Sequence, residues 1–365
     1  MAKIEVSNEL EKFEIKLNET DGHWSVIISR YSGESEEVTI PESFGGIPVK
    51  TIGDYAFLSC EKLKHVTIPE GVTIIEDSAF SGCTGLTNIL LPESLNYIGS
   101  WVFSGCVNLI DIILPEKLIS IGSDVFENCT SLTKIRIPKS LTSFGGSHGR
   151  TGLAEIIVEE THPVICSLDG VMFDKAMTTL MWYPEEKKGG YTVPDGINAI
   201  RSNAFDNCRA LTSISFPQSL LTIGSYAFNN EQLAAVTVHE ANQVYCSRDG
   251  VLFRKKEQWL LDYPKGRDGA DYTVPDGILV IADSAFSNCK QLTNINFPES
   301  LEVIGDSAFT GCEGLKAITL PKSLQFISEF VFEGCTNLET VTLSKQTKIG
   351  HKAFEGFTGR YIYRD

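Results

Sequence analysis

A strand-rich solenoid with a parallel sheet is the fold this sequence predicts, and three observations predict it. Cysteines recur at Cys60, Cys83, Cys106 and Cys129, each 23 residues after the last, and the spacing returns at Cys289, Cys312 and Cys335. Around them one skeleton, LxxIxIPxxLxxIGxxAFxxC, is rewritten many times, as in LTNILLPESLNYIGSWVFSGC (86–106) and LTNINFPESLEVIGDSAFTGC (292–312). No unit of this length can bury its own apolar groups, so units must stack into a one-dimensional array.

Each part of the skeleton has a physical reading. LxxIxI ends on period-two alternation, a short strand with one buried face. Pro69, Pro92, Pro115, Pro138, Pro217, Pro298 and Pro321 then stop it, because proline cannot donate to a ladder. A second apolar pair follows, such as Leu95/Ile98 or Leu301/Ile304, and then usually glycine, as at Gly99 and Gly305, read as a turn. Next come phenylalanines at 57, 80, 103, 126, 205, 228, 286, 309, 332 and 354, expected to stack as a continuous buried spine. The array so built has its parallel sheet on the concave face and few helices.

These residues resemble the BspA-like (Treponema pallidum-type) leucine-rich-repeat family over roughly residues 38–357. The resemblance implies an α/β-type leucine-rich-repeat solenoid, right-handed, of about 23-residue repeats. It also implies relatives that are commonly bacterial surface proteins, some of them adhesins. It brings no catalytic residues.

Two related inserts interrupt the rhythm. VICSLDGVMFDKAMTTLMWYPEEKKGGYTVPDG (164–196) and VYCSRDGVLFRKKEQWLLDYPKGRDGADYTVPDG (244–277) carry Asp169-Gly170 and Asp249-Gly250, tight-turn signals between apolar runs. They read as β-hairpin insertions at about 159–190 and 239–271, and their likeness 80 residues apart points to duplication of a larger block. Residues 1–37, with HWSVIISRY (23–31), are expected to form an N-terminal β cap. The solenoid is expected over 38–365, with a C-terminal cap from about 344.

Composition narrows the function. With 31 basic against 47 acidic side chains the net charge is −16, which argues against binding a phosphate backbone. No apolar run approaches the roughly 20 residues of a spanning helix, and MAKIEVSNELEKF lacks the apolar core of a signal peptide. The location is therefore the cell surface by resemblance, or the cytoplasm if the native chain starts at Met1 without a leader.

Nothing supports catalysis, and no cofactor or metal is expected. The cysteines come singly, not in the close pairs a metal site uses, and read as free, buried thiols packing as small hydrophobes. The six histidines show no HxxxH or HxH grouping. GGSHG (145–149) matches G-x-S-x-G with Ser147 as nucleophile, but without the strand-turn-helix context that gives the motif meaning. Glu159-Glu160 and Glu185-Glu186 read as solvated loop faces rather than a glycosidase pair.

The residues flanking the central Ile of LxxIxI point outward. Along the array they give His65, Asn88/Leu90, Asp111/Ile113, Lys134/Arg136 and Glu155/Ile157; from Ser213 onward they are almost uniformly Ser, Thr, Asn and Ala. Apolar residues among charges of both signs are the composition of an interface core. The expected function is non-enzymatic binding of a protein partner on this concave face by a monomer, without nucleic acid or membrane insertion. The alternative is a passive spacer or scaffold module with no ligand of its own.

Overall fold

The computed structural model describes residues 12–145, 150–228, 230–256 and 258–364. Among these residues there is no α-helix; short strands, turns and bends account for the chain. Where the repeat pattern allowed a few helices, the rungs instead join their strands by turns and bends. The Ser147 motif and His148 lie outside the described residues. Two compact units are present, residues 1–187 with 203–207, and residues 188–202 with 208–365.

The first unit opens with an antiparallel hairpin, Phe13–Thr20 against His23–Tyr31, closed by Asp21 and Gly22 at φ 51° and 76°. That pair of positive φ values matches the right-handed twist of a hairpin. His23–Tyr31 then pairs in parallel with Ile47–Ile52, which starts a ladder continued by Ile74–Ile75, Tyr97–Ile98, Ser120–Ile121 and Ser143–Phe144. A second parallel ladder runs through the LxxIxI segments Glu37–Thr39, His65–Thr67 and Asn88–Leu90. It resumes as Lys134–Ile137 beside Glu155–Val158.

Between them the expected strand over 109–114 does not form. Ile112 and Leu114 are still buried, while Ile110 and Ile113 stand 62% and 73% exposed. Side-chain alternation is retained there, while the regular ladder is not, although the Ile110 N–H still reaches the Thr87 carbonyl at 3.3 Å. The two are separable because the alternation answers to the core and the pairing to the neighbouring chain.

The phenylalanine spine is present in both units. In the first, Tyr31, Phe57, Phe80, Phe103 and Phe126 stack at ring separations of 5.1, 4.8, 5.8 and 5.9 Å. In the second, Tyr263, Phe286, Phe309, Phe332 and Phe354 stack at 4.9, 4.9, 5.4 and 4.9 Å. The insert tyrosines are the unexpected members. Tyr183 and Tyr263 donate their N–H groups to Ala204 and Ala285, as Phe57 does to Ala79, so each insert supplies a rung of its own.

Three turn details sharpen the sequence reading. Gly99 and Gly305 do not serve a positive φ. A Cβ on Gly99 would lie 2.7 Å from the Asp77 nitrogen, and on Gly305 2.7 Å from the Asp283 nitrogen, so close approach of the preceding rung favours glycine there. Left-handed φ instead falls on the residue before cysteine, which is Ser59 in the first rung and afterwards Gly82, Gly105, Gly311 and Gly334 or Asn128, Asn207 and Asn288. Glycine and asparagine are the residues that tolerate this region. It also falls on the residue before the Ala-Phe or Val-Phe pair, which is Tyr55, Ser78, Trp101, Asp124, Asn203, Tyr226, Ser284, Ser307, Phe330 or Lys352; there the side chain varies widely.

All ten cysteines are free. Cys83, Cys106, Cys129, Cys312 and Cys335 donate to the carbonyls of Phe57, Phe80, Phe103, Phe286 and Phe309 at 3.0–3.3 Å. Burial pushes the thiols of Cys106, Cys289 and Cys335 up to about 12. Contrary to the expectation of uniform burial, Cys60, Cys166 and Cys246 are half-buried, because Cys60 begins its column and the other two sit on insert strands. In a thiol titration of the native protein at pH 8, those three should react quickly and the other seven only in denaturant. Ten fast thiols, or seven or fewer in all, would contradict this arrangement.

Glu185 is buried rather than solvated. It accepts from the Thr151 hydroxyl and, at 3.2 Å, from Trp182 Nε1, while Glu186 faces solvent. Desolvation, reinforced by Asp206, pushes its carboxyl from 4.5 up to about 7 against these hydrogen bonds. The folded state thus holds this proton more tightly than the unfolded chain. The associated stability is complete below pH 4.5 and disappears as pH rises through about 7. Urea unfolding of Glu185→Gln should show this loss, about 3 kcal/mol at most, removed from the pH profile of the first unit.

Candidate binding surface

The outward row of the first unit is built from strand alternation. Val66, Ile89, Ile135 and Ile156 point into the core, which forces their flanking residues to the other face. His65 lies beside Asn88 and Thr67 beside Leu90 in the parallel register; Lys134 lies beside Glu155 and Arg136 beside Ile157. Leu90 is 60% exposed, and His65, Asn88, Asp111, Lys134, Arg136 and Glu155 are exposed as well. Asp111 and Ile113 occupy the unpaired rung between the two stretches of ladder. Arg136 Nη1 comes within 3.9 Å of Glu159, an exposed and therefore weak ion pair.

Ile157 departs from the others and is half-buried. Its strand is where the first insert docks: the Gly170 carbonyl accepts the Ile156 N–H at 2.9 Å, and a Cβ on Gly170 would lie 3.1 Å from Glu155. The insert therefore closes the edge of this ladder. In the second unit the Gly250 carbonyl accepts from Val236 at 2.8 Å in the same way. The Asp-Gly pairs were legible as turns; that each turn would cap a strand edge was not.

The outward row of the second unit is quieter. Ser215 and Thr237 share a hydrogen bond of 2.6 Å, Thr237 can also donate to the Ile214 carbonyl, and Asn296 donates to Thr273 at 3.2 Å. Ser215 with Thr237 and Asn296 with Thr273 thus bond between neighbouring strands of the ladder.

Exposed apolar groups are not confined to the LxxIxI row. On the first unit's other ladder Ile74 and Tyr97 lie side by side, 36% and 39% exposed, with Ile119 and Trp101 exposed nearby in the sequence of the rungs. The sequence reading missed this second row because it treated the xI pair as purely internal. The signal was there, in the alternation of Ile74-Ile75 and Tyr97-Ile98.

The histidine most suggestive of chemistry turns out to be structural. His162 is fully buried, its Nε2 2.9 Å from the Leu141 carbonyl, while Nδ1 accepts the N–H groups of Val164 and Ile165. Asn242, 80 residues on, makes the same bonds with its amide, to Leu220 at 2.9 Å and from Val244 and Tyr245. Either side chain bridges the insert to the preceding rung. Among the described residues no group of three His, Cys, Asp or Glu is placed to hold a metal ion. Among them, too, no helix is long and apolar enough to cross a membrane.

Stacked parallel rungs with apolar alternation, a ring column and a thiol column define a leucine-rich-repeat solenoid. The profile of the BspA type leucine rich repeat region matches residues 31–163, 189–248 and 269–363, in six copies, so the chain belongs to that family. Among solved structures it is similar to a leucine rich cell surface protein from Faecalibacterium prausnitzii A2-165, with 26% identity and a TM-score of 0.59 over 97% of this chain and 93% of the other. It is similar in fold to the pneumococcal vaccine antigen PcpA, with 20% identity and a TM-score of 0.60 over 97% and 92%. A leucine-rich repeat protein from Eubacterium ventriosum gives 21% and 0.60 over 94% and 92%. A search of curated proteins found no match. Proteins of this family are typically binding scaffolds rather than enzymes.

The His162–Asn242 equivalence is testable by exchange. His162→Asn should keep the urea midpoint within a small margin of the parent, whereas His162→Ala, which strands the Leu141 carbonyl and two N–H groups, should cost about 1–3 kcal/mol. Equal losses in both variants would show that the ring, not its hydrogen bonds, matters.

Proposed function

We propose that this chain is a non-enzymatic, protein-binding solenoid of bacterial surface type, taking its partner on the outward row of the first unit. The observation that carries the reading is the pairing of Leu90 and Ile113, both more than half exposed, with Asp111, Lys134 and Arg136 on the same row. Apolar groups that lose water on contact supply affinity, and charges of both signs around them supply orientation. His65 and Asn88 extend the patch at one end; Glu155 and Ile157 end it at the docked insert.

A surface or adhesion role is supported by family membership and by the likeness to a cell surface protein. The acidic net charge favours a protein partner over nucleic acid. For the second unit the spacer reading fits better, since its outward row is small and polar and part of it, Ser215 with Thr237 and Asn296 with Thr273, is hydrogen-bonded along the ladder.

Leu90→Asp combined with Ile113→Asp tests the reading. Both side chains face solvent, so the thermal midpoint should hardly move. Binding to a partner captured from bacterial or host surface proteins should fall at least tenfold, measured by titration calorimetry. Undiminished affinity in the double variant would place the site elsewhere.

A further inference from the structure

The two outermost edge strands share an anomaly. Ile15 and Leu17 lie opposite Ile28 and Val26, both fully buried, yet are 38% and 54% exposed. At the other end Tyr361 and Tyr363 lie opposite Val341 and Leu343, also fully buried, yet are 38% and 54% exposed. All four residues have the phase of core residues, and among the described residues no further rung lies over them. Within the ladders of the described residues, Phe13–Thr20 pairs only with His23–Tyr31, and Arg360–Arg364 only with Thr340–Ser344. Each strand leaves a row of backbone donors and acceptors at its outer edge, a template for another strand.

The charges of these two ends are opposite. Residues 12–42 hold Lys12, Lys16 and Arg30 against seven acids, a balance of −4. Residues 345–364 hold three lysines and two arginines against Glu355, a balance of +4 in a chain whose total is −16. The aromatic end also packs internally, with Tyr361 against Phe354 and Phe357 at 5.5 and 5.0 Å.

We propose that the chain associates head to tail, the Arg360–Arg364 edge of one copy pairing with the Phe13–Thr20 edge of a second. Either strand direction can set Tyr361 and Tyr363 opposite Ile15 and Leu17, closing both unfinished cores. The parallel direction also sets the exposed Arg360 opposite Glu14, a favourable pairing of opposite charges, whereas the Arg364 guanidinium is held by the Leu320 carbonyl. Because the two edges differ, the contact is heterologous, and repetition extends it into a row or ring of copies rather than a closed two-fold dimer. This goes against the monomer expected from the sequence, which weighed repeats but not the coverage of their ends.

Sedimentation of the full chain over a concentration series tests the proposal. The mass should rise above 40.1 kDa in whole multiples as concentration increases, and fall back as salt screens the charged edges. Leu17→Asp and Tyr363→Asp, both at more than half-exposed sites and verified as folded by circular dichroism, should each remain single at every concentration. Mixed in equal amounts, they retain one intact edge of each kind and should give a species of twice the mass and nothing larger. A parent chain that stays single at all concentrations would overturn the proposal. So would doubling of Leu17→Asp alone, which would signal two like ends meeting, or self-association unaffected by Tyr363→Asp.

Discussion

Backbone hydrogen bonds between successive rungs are the constraint from which everything else follows. Gly99 donates to Ile75, Gly122 to Ile98 and Gly305 to Ile281 on one side of the coil, all at 2.8–2.9 Å. On the ring side the direction reverses: Phe57 donates to Ala79, Phe80 to Val102 and Phe309 to Val331. A rung is thus held by its predecessor and its successor at once, while short local bonds such as Cys83 to Phe80 and Leu86 to Cys83 close the turns between these contacts. That arrangement fixes the rung length, because an inserted residue would move the donors out of reach. It also explains why glycine is favoured where rungs approach most closely, and why rings and thiols fall into columns.

Much of this was legible because the periodicity is redundant. Strand, proline stop, ring and thiol recur in so many copies that a damaged rung, such as 143–153, does not hide the pattern. What escaped was whatever occurs once or twice. The burial of Glu185 depends on Thr151 and Trp182 meeting it, a tertiary coincidence that a Glu-Glu pair in a loop does not advertise. The tyrosines of the inserts looked like hairpin residues until their N–H groups were seen to bond as the phenylalanines do. The missing strand at 109–114 escaped for the opposite reason, since its alternation is as good as that of its neighbours.

Of the candidate surface, the outward direction of each residue followed from alternation and held for eight of nine positions, with Ile157 half-covered. The covering group, Gly170, is distant enough in sequence that only the fold brings it there. The inserts are best understood as replacements for a rung that also finish a ladder edge. His162 and Asn242 show how tolerant that device is: an imidazole and an amide serve alike, provided one atom donates to the preceding rung and another accepts from the chain that follows.

The left-handed residue before the Ala-Phe or Val-Phe pair has a consequence for how such a surface can diversify. At this position the backbone is held by hydrogen bonds on both sides, while the side chain ranges from the buried Ser78 to the exposed Tyr55, Trp101 and Tyr226. The cost of the unfavourable φ is borne by the hydrogen bonds to the rungs around it, even where the residue is a bulky tyrosine, tryptophan or phenylalanine. The position is therefore a regularly spaced display point, one per rung, where chemistry can be exchanged without renegotiating the interior. In a repeat protein that meets changing partners, such points let selection act on the outside of the coil while the inside stays conserved in kind.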